Sequence, residues 1–171
     1  MLNISRIAGW QKLFVCLSVF ALLLLPLSIS YAATDSPVTI ASNQEAFDYY
    51  LAMVEILDVS TGVNQAVFYS GPGNRVLAER FASTSGKITL ETTVGGKVLD
   101  DLKLFEKDSP ITPDQAIRVW SRISQRYAQQ ASGDVYCVVA GARPTGVFTT
   151  IEKPALESNS KVTMMLIISK L

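Results

Sequence analysis

Ala46, Phe47, Tyr50, Leu51, Val54 and Leu57 recur at the three- and four-residue spacing of a single helix face. Just upstream, Ser42-Asn-Gln-Glu45 has the form of a capping box, with a hydroxyl for a free amide and a carboxylate that reaches back. Together they predict a helix of about four turns. Residues 66–70 then make a short apolar run, stopped by the turn signal Gly71-Pro-Gly73. Asn74 is placed to cap a short helix over residues 75–82, and Gly86 punctuates the segment beyond it. Residues 88–91 read as extended or as a turn. Gly95-Gly96 predicts a flexible bend before residues 97–105, which carry helical periodicity.

Thr112-Pro-Asp-Gln115 is the clearest local signal. Thr112 caps, Pro113 fits the first helical position and Gln115 completes the box. The helix is expected to run to Ser132 and stop at Gly133, with Ile117, Trp120, Ser121, Ser124, Tyr127, Ala128 and Ala131 along one face. Three β-rich runs come next, at residues 135–140, 147–151 and 162–169. The first and third are apolar on both alternations, as strands covered on both faces are. The fold class expected is α/β (α+β): N-terminal helices packed with a small, mostly parallel C-terminal sheet.

The first 32 residues change the picture of the domain. Arg6 and Lys12 precede an apolar run over residues 13–27, and Ser30-Tyr31-Ala32 offers small residues where a signal peptidase cuts. The run is short for a membrane span of about 20 residues. Residues 1–32 are therefore expected to be a signal peptide, with an N-terminal membrane anchor as the minor alternative. Residues 33–42 are expected to be a flexible arm and residues 43–171 a single domain. Removal of 32 of the 171 residues leaves 139, with 13 cations against 15 anions, because Arg6 and Lys12 leave and no acid does. A net charge of −2 provides no basic field for nucleic acid and no polybasic grip on a membrane. The expected location is periplasmic or secreted, in a bacterium.

Cys16 leaves with the signal, so Cys137 stands as a lone thiol in the mature chain, inside an apolar run, and its expected role is a small buried hydrophobe. A nucleophilic cysteine needs a base, and the chain holds no histidine. The glycine clusters lack the spacing of a phosphate loop or a dinucleotide fingerprint. Trp120 and Ser124, four apart on a helix, share a face. Taken singly, each candidate has an ordinary reading: a core tryptophan beside a back-bonded serine, a solvated Glu152 at a strand end, an ordinary surface Glu91, an exposed Asp100-Asp101 pair. Two carboxylates, an aromatic and a hydroxyl are nonetheless a set that cleaves a glycosidic bond without histidine or metal.

In combination these segments resemble the ADP-ribosyl cyclases, across about residues 67–168. The marks are Phe68-Tyr69-Ser70; Thr89-Leu90-Glu91 with Asp100-Asp101-Leu102 nine positions later; Trp120-Ser-Arg-Ile-Ser124 leading to Tyr127-Ala128; and Phe148 to Glu152. The resemblance implies that Glu152 is the catalytic carboxylate, contacting the ribose hydroxyls of NAD and stabilising the cation at the anomeric carbon. It implies that Glu91 and Asp100 are the acidic pair near the nicotinamide amide, that Trp120 holds the nicotinamide and that Ser124 lies near the phosphates. Tyr69 stands where animal members have tryptophan. Val147 replaces a common hydroxyl, and Val139-Ala-Gly-Ala142 replaces a polar Asn-Gly-Ser segment. The animal disulfides and most of the C-terminal extension are absent.

The implied activity is that of an exported NAD glycohydrolase giving nicotinamide and ADP-ribose, with cyclic ADP-ribose as the alternative product. NAD is substrate; no cofactor and no metal are expected. A toxin or effector role would add an inhibitor or immunity protein as partner. No nucleic-acid partner is expected, nor stable membrane contact after signal cleavage. The competing reading is a catalytically inactive envelope protein of the same fold that binds a nucleotide or a protein partner.

Overall fold

The amphipathic stripe at the start of the domain forms helix α1, Asn43–Ile56, which buries Ala46, Phe47, Tyr50 and Val54 and packs Leu51 against the same core. The computed structural model describes residues 43–168. The expected signal peptide, the arm and Ser42 of the expected capping box lie outside the described residues.

Strand β1, Ala66–Tyr69, leads into α2, Asn74–Ser85, then β2, Ile88–Thr89, a 3-10 turn at Leu90–Thr92, and α3, Val94–Asp101. The long helix α4, Pro113–Gln130, is followed by β3, Gly133–Val138, by a π-helical turn at Phe148–Glu152, by α5, Lys153–Ser158, and by β4, Val162–Ile167. The four strands form one sheet in the order β2-β1-β3-β4, and every neighbouring pair is parallel. The expected parallel sheet is present; two of its strands come from the chain before α4.

Strand alternation divides the core. Ala66, Phe68, Val135 and Cys137 face α1 and α4, where Val119, Ile123 and Tyr127 meet them. Val67 and Val138 point the other way, onto Ala78 and Ala82 of α2. The inner strands are thus covered on both faces, as expected for β3. Strand β4 is not: it is an edge strand, paired on one side only, and Met164 and Ile167 are exposed.

Several expectations are corrected by the packing. Asn74 does not cap α2; Gly73 holds that position, and the buried Asn74 side chain donates instead to the carbonyls of Ser70 (2.5 Å) and Ala140 (2.8 Å). Gly95-Gly96 is no flexible bend. Both glycines lie buried in the first turn of α3, which ends at Asp101 rather than running to residue 105. A Cβ on Gly96 would lie 1.8 Å from the Leu90 carbonyl oxygen, and one on Gly95 2.7 Å from Leu57 Cβ. The glycines allow α3 to sit against the turn that carries Glu91. Gly96→Ala is therefore expected to destabilise the fold by about 3 kcal/mol or more, read as a drop in the urea midpoint; a variant that melts with the parent would show this contact to be slack.

The capping box of α4 is present as expected, with Gln115 N–H bonded to Thr112 and the Gln115 side chain accepting from Thr112 N–H. The helix ends at Gln130, and Gly133 opens β3 instead of closing α4. Its buried stripe is Ala116, Val119, Ile123, Ser124, Tyr127 and Ala128; Ile117 faces solvent.

Residues 147–151 are not a strand. Thr150 N–H bonds back to the Gly146 carbonyl, its hydroxyl does the same at 2.9 Å, and the Thr149 hydroxyl bonds to the Arg143 carbonyl at 3.0 Å. Threonine hydroxyls that reach preceding carbonyls favour a helical turn over the strand their branching suggests. Pro154 then fits the start of α5.

Candidate functional site

The wide turn places Phe148 and Glu152 on its inner side, both buried. Glu152 is 7% exposed, at a cavity of 150 Å³ bounded by β1, the turn after β2, α4 and the π-helical turn. This is the carboxyl end of β1 beside β3, where the strand order reverses direction, the usual position for a ligand crevice in a parallel sheet. Asn74 holds the turns after these two strands together through its bonds to Ser70 and Ala140.

Helix α4 supplies one wall. Ser124, 6% exposed, lines the same cavity as Glu152. Tyr127, one turn on, donates to the Ile88 carbonyl at 2.6 Å and accepts from Val67 N–H at 3.1 Å, tying α4 to both strands beneath the cavity. Burial pushes the Glu152 carboxyl up to about 8; the Ser124 hydroxyl works against that rise and the nearby Glu91 adds to it. Burial likewise raises the Glu91 carboxyl, against the opposing effect of a hydrogen bond from Tyr69.

A larger cavity of 540 Å³ adjoins the first. It is lined by Trp120, Tyr69, Glu91, Asp100, Arg75 and Lys103, among others. Asp100 is held by the Arg75 guanidinium at 3.0 and 3.3 Å, which keeps its carboxyl below the usual range. Arg75 also pairs with Glu79 of its own helix at 2.8 Å. All six candidate residues thus line one cavity or the other. Glu152 and Ser124 meet at the smaller; Trp120 and Asp100 lie on the larger; Tyr69 and Glu91 border both. Ser124, expected near phosphates, shares the smaller cavity with Glu152.

The family model described as ADP-ribosyl cyclase matches residues 30–169. The chain belongs to the ADP-ribosyl cyclase family. Porcine CD38, complexed with a covalent intermediate, ribo-F-ribose-5'-phosphate, is similar with a TM-score of 0.53 at 22% identity, over 75% of this chain and 61% of that one. An ADP ribosyl cyclase complexed with N1-cIDPR gives 0.52 at 23% identity, over 74% and 55%. Aplysia cyclase complexed with substrate NGD and product cGDPR is 26% identical over 63% of this chain and 49% of its own, with a TM-score of 0.49. The chain spans about half to three-fifths of the length of these solved relatives. Likeness at this identity establishes the fold. Comparison with curated proteins gives no match.

Sequence reasoning leaves two residues at these cavities without a role. Arg75 sits on α2 with Glu79 one turn on, which reads as a solvated pair; its bond to Asp100, 25 positions away, has no local signal. Tyr127 falls on the α4 stripe, yet nothing in the sequence distinguishes a phenol that bonds two strands from a core aromatic.

Proposed function

We propose that this chain cleaves the bond between nicotinamide and ribose in NAD, consuming water and giving nicotinamide, ADP-ribose and a proton. The observation that carries the proposal is a carboxyl, Glu152, buried at a small cavity that adjoins a larger chamber walled by a tryptophan and acids.

The nicotinamide of NAD is cationic and departs neutral, so its departure needs no proton donor. Positive charge moves onto the ribose as the bond breaks, in an oxocarbenium-like transition state. The ionised Glu152 carboxylate, buried and shielded from water, interacts more strongly with that charge than bulk water does. Catalysis results because this interaction grows between ground and transition state. In the larger chamber Trp120 offers a face for the cationic ring. Glu91, Asp100 and Glu106 give that chamber more acids than bases, Arg75 and Lys103 being the cations. We favour water over the adenine as the group that captures the ribosyl cation, because cyclisation requires the substrate to fold tightly onto itself.

The chain is further proposed to act outside the cytoplasm, carried there by residues 1–32. Expressed in full, the exported protein is expected to begin at Ala33 by mass and to release nicotinamide from NAD. Nicotinamide that stays at the uncatalysed background, at micromolar protein over hours, would reject the enzyme reading in favour of a binding scaffold.

A further inference from the structure

The smaller cavity, at 150 Å³, falls below the roughly 300 Å³ at which small-molecule sites begin. A ligand that touches Glu152 therefore extends beyond it, and the adjoining 540 Å³ chamber is where Trp120 and Asp100 lie. Two residues line both spaces, Tyr69 of β1 and Glu91 of the 3-10 turn. Their side chains are joined: the Tyr69 hydroxyl donates a short hydrogen bond to Glu91 Oε1. The other Glu91 oxygen, Oε2, is buried and has no hydrogen-bond partner. The charged and titratable groups acting on this pair are Arg75 and Glu79 of α2, Tyr127 of α4, and Glu152 across the smaller cavity.

We infer that the Tyr69–Glu91 hydrogen bond is a latch across the passage between the two chambers, and that a substrate spanning them must open it. The inference rests on the NAD-cleaving reading and deepens it. With the ribose at Glu152 and the ring at Trp120, the scissile bond crosses the boundary that these two side chains form. The phenol then leaves Glu91, and both carboxylate oxygens turn to donors on the substrate. Tyr69 is thus a positioning residue that sets how tightly a spanning ligand binds. A ligand confined to the larger chamber leaves the latch closed.

The test uses Glu152→Gln protein, so that NAD binds without turnover. Adding Tyr69→Phe removes the latch and keeps the ring. NAD is expected to bind about tenfold more tightly to the double variant, the worth of a hydrogen bond to a charged group, whereas free nicotinamide binds both alike. Equal or weaker NAD binding in the double variant, with nicotinamide binding intact, overturns the latch and leaves the function standing. Absence of NAD binding in the single variant overturns both. Should Tyr69→Phe fail to fold, a crystal structure of Glu152→Gln with NAD decides: the Tyr69–Glu91 bond is expected to be broken, and its persistence beside bound NAD overturns the inference.

Discussion

Glu152→Gln is expected to lose NAD cleavage by on the order of 10²–10³-fold or more and, in the same protein, to gain stability. The two effects have one cause. Burial makes the ionised carboxyl costly, which is why its proton is held up to about 8. The neutral amide has the same shape and carries no such cost. It also offers no full charge to a developing cation. Several kcal/mol of relief at pH 8, on the scale of one pKa unit per ~1.4 kcal/mol, corresponds to a melting temperature raised by roughly 10 °C for a domain of this size. Trade of stability for function at a buried ionisable group is common. The measurement is nicotinamide release beside a thermal melt of both proteins at pH 8. Unchanged turnover removes Glu152 from the chemistry; a lower melting temperature contradicts the burial argument.

The second large effect is on pH dependence. Reaction needs Glu152 ionised, so kcat/KM for NAD is expected to rise about tenfold per pH unit below the Glu152 value and to level off near 8. Between pH 6 and pH 8 the gain is about 50- to 100-fold. Stability moves the opposite way. The folded value lies above the 4.5 of a glutamate in the open chain, so the native state holds this proton more tightly. Its contribution is fully present below 4.5 and is lost as pH rises through about 8. Glu152→Gln should remove that loss, and the melting temperatures of the two proteins should converge toward pH 4.5. A flat rate profile from pH 6 to 9 would show the carboxyl already ionised throughout.

Local chemistry makes part of this molecule legible. Thr112, Pro113 and Gln115 announce the start of α4 within four residues, and the structure begins the helix there. Helical spacing locates α1, and apolar runs locate β1 and β3. The wide turn at Phe148–Glu152 is hidden because β-branched residues favour strands on average, while here threonine hydroxyls find carbonyls at Arg143 and Gly146. Gly95 and Gly96 read as a bend because the reason for them is the backbone of Leu90 and Asp58, invisible to any local window. The candidate residues come from the family likeness; their division between two cavities, and the hydrogen bond that joins Tyr69 to Glu91, come from the structure.

Parallel pairing of β1 with β3 sets Val67 beside Tyr136, so the central ladder closes a loop that contains α2, α3 and α4. Closing so long a loop comes before the contacts that reward it, which makes such topologies slow to fold. Tyr69 and Glu91 lie before α4, Glu152 after it. A ribosome therefore makes the first acid, the tryptophan and strands β1 and β2 well before the last carboxyl exists, and the growing polypeptide holds the parts of the crevice without the crevice itself.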